Sequence, residues 1–374
     1  MKFSDIPGLE DAKERLRRYA DDNRIPHAIL LEGPEGIGKF ALARAFLQYV
    51  DCKNRHDGDS CGVCPSCRQH DAMQHIDTIF SFPHIKKDSS KSVISSDYLP
   101  QFIEFAKESF FMDKSLWLEK LGNPKSKPMM YVHEATELIR RLSFAPHSSS
   151  YKGLIVWQVD KFNEEGSNKL LKLVEEPPGQ AIIVMTSDSP MNILPTIYSR
   201  TQRIKVLRHP DEVVAQWLVD TGKTNSEIAR EVAPLAVGRM NQALKLLANR
   251  DDSERFLKYF ISLMRLAYLR DIAALKDWAQ TVAKESRDTI VNFLEYTARM
   301  LRENFIANLH DTSLNLMVPS ESEFSKNFAR FVNERNIEGL ISEVDSAITD
   351  IRSNVNSRVV LFDLAITVIL LLKN

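Results

Sequence analysis

HAILLEGPEGIGKFALARAFLQYV, residues 27–50, is the stretch on which the fold turns. Its first part, His27 to Gly33, is a short apolar run ending in a glycine-rich turn, and KFALARAFLQYV then carries apolar residues at helical spacing. Strand, loop and helix in that order are the context a phosphate-binding loop requires. Gly33, Gly38 and Lys39 fit the pattern G-x-x-x-x-G-K-[ST], with Gly36 between them, but Phe40 takes the place of Ser or Thr. The loop has amides and a lysine to offer a phosphate. It lacks the hydroxyl that would help to hold a metal.

The four cysteines of the chain follow that helix: Cys52, Cys61, Cys64 and Cys67, spaced C-x8-C-x2-C-x2-C. Two successive C-x2-C pairs can close a tetrahedron of thiolates around Zn²⁺, with Gly58, Gly62 and Pro65 suited to the tight turns. All four positions would be filled by protein, so such a zinc is structural. Two disulfides are the alternative, disfavoured in a reducing compartment.

Beyond the cysteines, residues from about Ile85 to Pro128 read as an insertion. It holds a Ser/Lys-rich stretch (KKDSSKSVISS), an aromatic helical segment (IEFAKESFFM) and a Pro/Lys loop (GNPKSKP). No chemistry is assigned to it, and Phe110, Phe111 and Trp117 are expected to pack rather than to bind. YVHEATELIRRLSFAP and EEGSNKLLKLVEEPP read as helices, whereas GLIVWQVD, QAIIVMTSD and RTQRIKVL read as strands. Strands alternating with helices indicate a parallel, doubly wound sheet. After about His209 the strand signals stop: DEVVAQWLV, NSEIAREVAPLA and RMNQALKLLA suggest three short helices, and the rest is helical throughout.

The 374 residues are 44% apolar and 26% charged, with a net charge of -1. Those values fit a globular chain with no global basic field to draw it to nucleic acid or membrane. MKFSDIPGLEDAKERL reads as an amphipathic helix with no signal-peptide core. The greasy VVLFDLAITVILLLKN is short for a bilayer span and is interrupted by Asp363, so it is expected to be a buried helix of a cytoplasmic protein.

Several landmarks now stand in order: the loop, the four cysteines, LLKLVEEPP, MTSD and Ser199-Arg200-Thr201. Together they resemble the AAA+ subunits of the bacterial DNA polymerase III clamp loader, over roughly the first 245 residues without the insertion. The resemblance implies a RecA-like AAA+ domain over 1–208, with a zinc knuckle at about 52–67 and the insertion at about 85–128. It further implies a three-helix lid domain over 209–249 and an all-helical collar over 250–374. Expected partners are the clamp loader ATPase subunits and the delta subunit, with the sliding clamp and primer–template DNA reached through the complex, and no membrane.

That family contains ATPases and a non-hydrolysing relative, the delta-prime subunit, and the sequence separates them by missing atoms. Mg²⁺ needs oxygen ligands, and Phe40 has none to give. The family's acidic pair falls on Trp157 and Gln158, and its γ-phosphate-sensing Arg falls on Asn241, with Arg239 two positions away. Asp160 is read as the cap of the following helix, with a substitute metal anchor as its alternative role. Lys39 is kept, so either weak nucleotide binding at Gly33, Gly36, Gly38 and Lys39 or a purely structural turn remains open. Arg200 matches the family's arginine finger, presented in trans to a neighbour's ATP, although Thr201 replaces a Cys. The expected function is a non-hydrolysing clamp loader subunit that supplies this finger. An active ATPase anchored by Asp160 is the alternative. A nucleic-acid-binding knuckle on another scaffold fits poorly, since Lys53, Arg55 and Arg68 are offset by Asp51, Asp57, Asp59 and Asp71.

Overall fold

The structure, a computed structural model, describes residues 1–85, 93–122, 126–248, 250–308 and 317–372. Parts of the Ser/Lys-rich stretch (86–92) and of the Pro/Lys loop (123–125) lie outside the described residues. The chain forms two compact units, Met1–Leu244 and Lys245–Asn374.

The first unit is built on a five-stranded, wholly parallel sheet: β1 (Ala28–Glu32), β2 (Thr78–Ser81), β3 (Lys152–Val156), β4 (Ala181–Ser187) and β5 (Gln202–Lys205). Spatial order is β2-β3-β4-β1-β5, which places β1 between β4 and β5. The chain leaves β1 toward one edge of the sheet and returns through β4 to reach the other. The loop after β1 therefore lies at a switch point, on the carboxyl side where open α/β sheets bind ligands.

Alternate residues of β1 feed two cores. Ile29 and Leu31 join Leu16, Phe40, Phe46 and Phe102 on one face, and Ala28 and Leu30 join Leu154, Leu170 and Leu173 on the other. A strand covered on both faces reads as a continuous apolar run, which is why AILL was legible. Helices α1 (Glu10–Asp21), α2 (Lys39–Asp51), α3 (Pro65–Asp71), α4 (Leu99–Glu108) and α5 (Lys114–Lys120) precede β3. The amphipathic start makes a 3₁₀ turn at Phe3–Asp5 and becomes α-helical only from Glu10, after Leu9 at a left-handed φ of 63°. Then come α6 (Val132–Leu142), α7 (Glu164–Glu175), α8 (Pro195–Tyr198), α9 (Asp211–Asp220), α10 (Ser226–Leu235) and α11 (Met240–Ala248).

The second unit is helical: α12 (Arg250–Leu269), α13 (Ile272–Val282), α14 (Arg287–Ala307), α15 (Pro319–Phe328), α16 (Ile337–Arg352) and α17 (Ser357–Leu371). Phe260, Leu294, Leu301, Val344 and Leu361 lie in its core. The greasy terminal stretch is α17, which buries Val360, Leu361, Leu364 and Val368. Among the described residues no helix is long and apolar enough to cross a membrane.

Candidate functional site

The loop after β1 has the backbone a phosphate seat needs, with Gly36 at φ 76° and Gly38 at φ 98°. Only glycine takes such angles without steric cost. The seat is nonetheless filled by the chain itself. Lys39 Nζ pairs with Asp188 Oδ1 at 2.7 Å and donates to the carbonyls of Gly33, at 2.7 Å, and Pro34. Lys114 Nζ reaches the other Asp188 oxygen at 2.7 Å and Glu35 at 3.5 Å. From α11, Met240 N donates to Gly36 O at 3.0 Å. Asn241 lies so close to the loop that a Cβ on Gly36 would fall 1.7 Å from its Oδ1. The space left among Glu35, Gly36, Lys39, Phe111, Trp157 and Asp188 is about 10 Å³. That is room for one water at most, against about 300 Å³ or more for an ordinary ligand pocket.

The charges are set by this closure. Burial lowers the Lys39 pKa from 10.5 despite Asp188 beside it. Burial alone would raise the Asp188 carboxyl, but Lys39 and Lys114 hold it below its ordinary value. Lys114 is raised, since Asp188 and Glu35 outweigh the effect of its own burial.

Positions expected to lack metal ligands are core positions. The Phe40 ring packs on Phe80 and Phe102 at centroid distances of 6.3 and 5.6 Å. Trp157 is 4% exposed and packs on Phe102 and Phe105. Gln158 sits at φ 59°, its Nε2 donating to Asp188 at 3.3 Å. Asp160 does not cap the next helix, contrary to the sequence reading. Asn163 caps α7 by accepting from Gly166 N at 2.9 Å, because it stands directly before the first helical residue. Asp160 instead accepts from Ser187 Oγ at 2.8 Å and faces Lys161 Nζ at 3.4 Å. Sequence reasoning did not single out Asp188, Lys114 or Glu35. Asp188 was visible only as the end of MTSD, and Lys114 lies inside the insertion, far from the loop in sequence.

Arg200 follows α8 and is turned outward, 45% exposed. Its Nε pairs with Glu175 at 2.8 Å and its Nη1 donates to Thr196 O at 3.1 Å. Arg203, nearby on β5, stacks on Tyr198 with its guanidinium 4.6 Å from the ring centre.

The four cysteines are free thiols whose sulfurs all lie within 4.8 Å of one another. Cys61 and Cys67 Sγ are 3.9 Å apart, near the edge of about 3.8 Å that a metal–sulfur bond of ~2.3 Å gives a tetrahedron. Backbone N–H groups of Cys61, Cys64 and Cys67 point at Cys52, Cys61 and Cys64 sulfurs at 3.3, 3.4 and 3.5 Å. The amides of Val63 and Cys64 lower the Cys61 thiol to about 6, whereas burial pushes Cys67 up. The cluster could hold a metal ion, with no coordination position left for a substrate.

Just beyond, Asp77 is fully buried and accepts from the amides of His147, Ser148 and Ser149 at 2.7, 2.7 and 3.0 Å. Burial would raise its carboxyl, but these donors bring it down to about 2.

A family model described as DNA polymerase III, delta subunit, matches residues 8–210. DNA polymerase III subunit gamma/tau of Mycobacterium bovis is 29% identical over 199 residues, 53% of this chain and 27% of that protein. Subunit tau of Bacillus subtilis is 25% identical over 251 residues, 66% of this chain and 37% of that protein. The chain thus spans about a quarter to somewhat over a third of the length of these relatives. Among solved structures, a DNA polymerase III gamma subunit-related protein from Thermotoga maritima aligns with a TM-score of 0.45 and 13% identity, covering 97% of this chain and 100% of that one. The DNA clamp loader delta protein of Bacillus subtilis aligns with a TM-score of 0.33 and 10% identity over the same shares.

Proposed function

The chain belongs to the DNA polymerase III delta-subunit family, and we propose that within it this protein is a delta-prime-type clamp loader subunit. It hydrolyses no ATP itself, assembles with ATPase subunits and the delta subunit in the cytoplasm, and lends Arg200 to a neighbour's site. The sliding clamp and primer–template DNA are reached through that complex. Residues 1–208 act as the AAA+ domain, 209–249 as a lid and 250–374 as the oligomerising collar. Zn²⁺ is the ion for the four cysteines, since an all-thiolate tetrahedron suits zinc and closes the site structurally.

One contrast carries the reading. Lys39 is used up internally on Asp188, while Arg200 stands at the surface. An arginine finger must leave its own chain, and Arg200 has to give up an exposed pair with Glu175, worth roughly 0.2–1 kcal/mol, and an exposed bond to Thr196 O. A finger in trans brings about 10³–10⁵ in rate, or roughly 4–7 kcal/mol of barrier. The exchange is favourable by a wide margin.

Alone, the protein should release no phosphate from ATP. In the reconstituted loader, Arg200→Ala should depress DNA-stimulated hydrolysis and clamp loading while assembly persists. Unchanged rates with an intact complex remove the finger role. Magnesium-dependent turnover by the isolated chain, lost on Asp160→Asn, would establish the active-ATPase reading instead. Against that outcome, Asp160 Oδ1 already accepts from Ser187 Oγ, while Oδ2 accepts no hydrogen bond and faces only Lys161 Nζ at 3.4 Å.

A further inference from the structure

The insertion makes close approaches to the phosphate loop. Helix α4 lays Phe102 and Phe105 on Phe40 and Trp157, and Trp117 of α5 closes the cluster at 5.4 and 5.3 Å from the Phe102 and Phe105 rings. Trp117 is fixed in turn by donating Nε1 to Pro83 O at 2.8 Å. Phe40 and Trp157, which stand where the resemblance expects metal-side groups, are therefore the dock for α4 and α5.

Between α4 and α5 the chain passes over the loop. Phe111 packs edge-on against Trp217 of α9 at 5.1 Å, and one of its ring carbons lies 3.6 Å from where a Gly38 Cβ would be. Met112 is held at φ 56°, its N–H donating to Ser109 O at 2.9 Å. A bulky residue in that region costs on the order of 1–3 kcal/mol and persists only where its surroundings over-determine it. Asp113 Oδ2 accepts weakly from Asn241 Nδ2 at 3.5 Å. Lys114 binds Glu35 with both ends, its amide donating to Oε1 at 3.2 Å and its ammonium facing Oε2 at 3.5 Å, and it binds Asp188 as well. Three of these four consecutive residues, Phe111, Asp113 and Lys114, thus join by their side chains the loop, helices α9 and α11, and Asp188 just after β4.

We propose that Phe111–Lys114 is a built-in plug. Its own side chains occupy the seat in which a nucleotide's phosphates would lie over Gly36–Lys39, and they hold this chain in one nucleotide-free state. The Asp188 carboxylate, gripped by Lys39 and Lys114, stands where an anionic ligand would stand. The inference rests on the non-hydrolysing reading above but does not involve Arg200. Failure of the finger leaves the plug intact, and failure of the plug leaves the finger intact.

The test uses the full chain, intact and as Phe111→Ala/Lys114→Ala, with Lys114→Met alone if the double variant does not fold. Hydrogen exchange of the loop amides, 35–39, should quicken about tenfold in the variant, equivalent to about 1.4 kcal/mol of lost protection. Calorimetric titration with ATP in EDTA should show no saturable uptake by the intact chain and saturable uptake by the variant, abolished by adding Lys39→Ala. The proposal is overturned if the intact chain already binds ATP through Lys39, or if the variant folds with unchanged loop exchange. It is overturned equally if the opened variant takes up no ATP, or takes it up independently of Lys39.

Discussion

Asp188→Asn strands a cation in the interior. The Lys39 side chain is 5% exposed and Asp188 11%, so solvent cannot replace the lost carboxylate. Removing one partner of a buried pair costs 3–5 kcal/mol, and the loop carbonyls still accept from Nζ, so a loss of about 3 kcal/mol is expected. A surface pair in the same positions would lose about 0.2–1 kcal/mol. The two cases are separable in a single urea titration. Tryptophan fluorescence in a Trp278→Phe background suits it, because Trp117, Trp157 and Trp217 all belong to the first unit.

The pH dependence supplies a second arm. Burial already lowers Lys39 in the folded chain, and Asp188 opposes that shift. Without the carboxylate, Lys39 drops further and sheds its proton earlier as pH rises. Over that range the unfolded chain binds more protons than the folded one, so stability climbs with pH. The deficit should be fully present near pH ~7 and narrow toward pH ~10, near the unperturbed lysine value. A deficit below about 1 kcal/mol, or one that widens with pH, refutes the buried pair as the lock on the loop.

Two further outcomes follow from the neighbouring module. Asp77, brought down from 3.8 to about 2 by three amides, contributes about 2.5 kcal/mol that is complete above its unfolded pKa and lost as pH falls through the folded one. Asp77→Asn should therefore show a deficit by urea titration that is constant from pH ~7 to ~5 and shrinks toward pH ~2; a deficit that does not change with pH contradicts the amide cradle. Elemental analysis of the purified chain should find one zinc, lost in Cys67→Ser together with protection of the amides at 52–71. Quantitative disulfide formation in the native protein would contradict the metal cluster.

How much of this could be read beforehand depended on whether the signal was local. AILLE, the glycines and the helix after them carry their structure in a single stretch, and LLKLVEEPP stops at its prolines. Strand β2 was missed because TIFS is only four residues long and takes its place by pairing in parallel with β3. Phe40, Trp157 and Asn241 were legible as positions without the groups that the resemblance expects there. Their present work was not legible, because the partners Phe102, Phe105 and Gly36 lie far away in sequence. Asp160 was misread for a local reason: Asn163 is also a good capping residue and stands at the correct position.

The residues around the loop are also not independent of one another. Placing a threonine at position 40 would remove a ring from between Phe80 and Phe102, in a class of change that costs about 3–5 kcal/mol. Placing an acid at 157 would set a carboxylate against Phe102 and Phe105 in a buried aromatic setting. Each substitution first damages the aromatic packing of α4 and α5, and on the proposed reading neither confers hydrolysis while Lys39 stays on Asp188 and Asn241 lies on Gly36. On the proposed non-hydrolysing reading, a single substitution that supplies an oxygen ligand here costs stability and gains no rate. Arg200, which pairs only with an exposed carboxylate and a turn carbonyl, lies outside that packing. The fold can therefore stiffen around a closed loop without disturbing the one group the proposal needs at the surface.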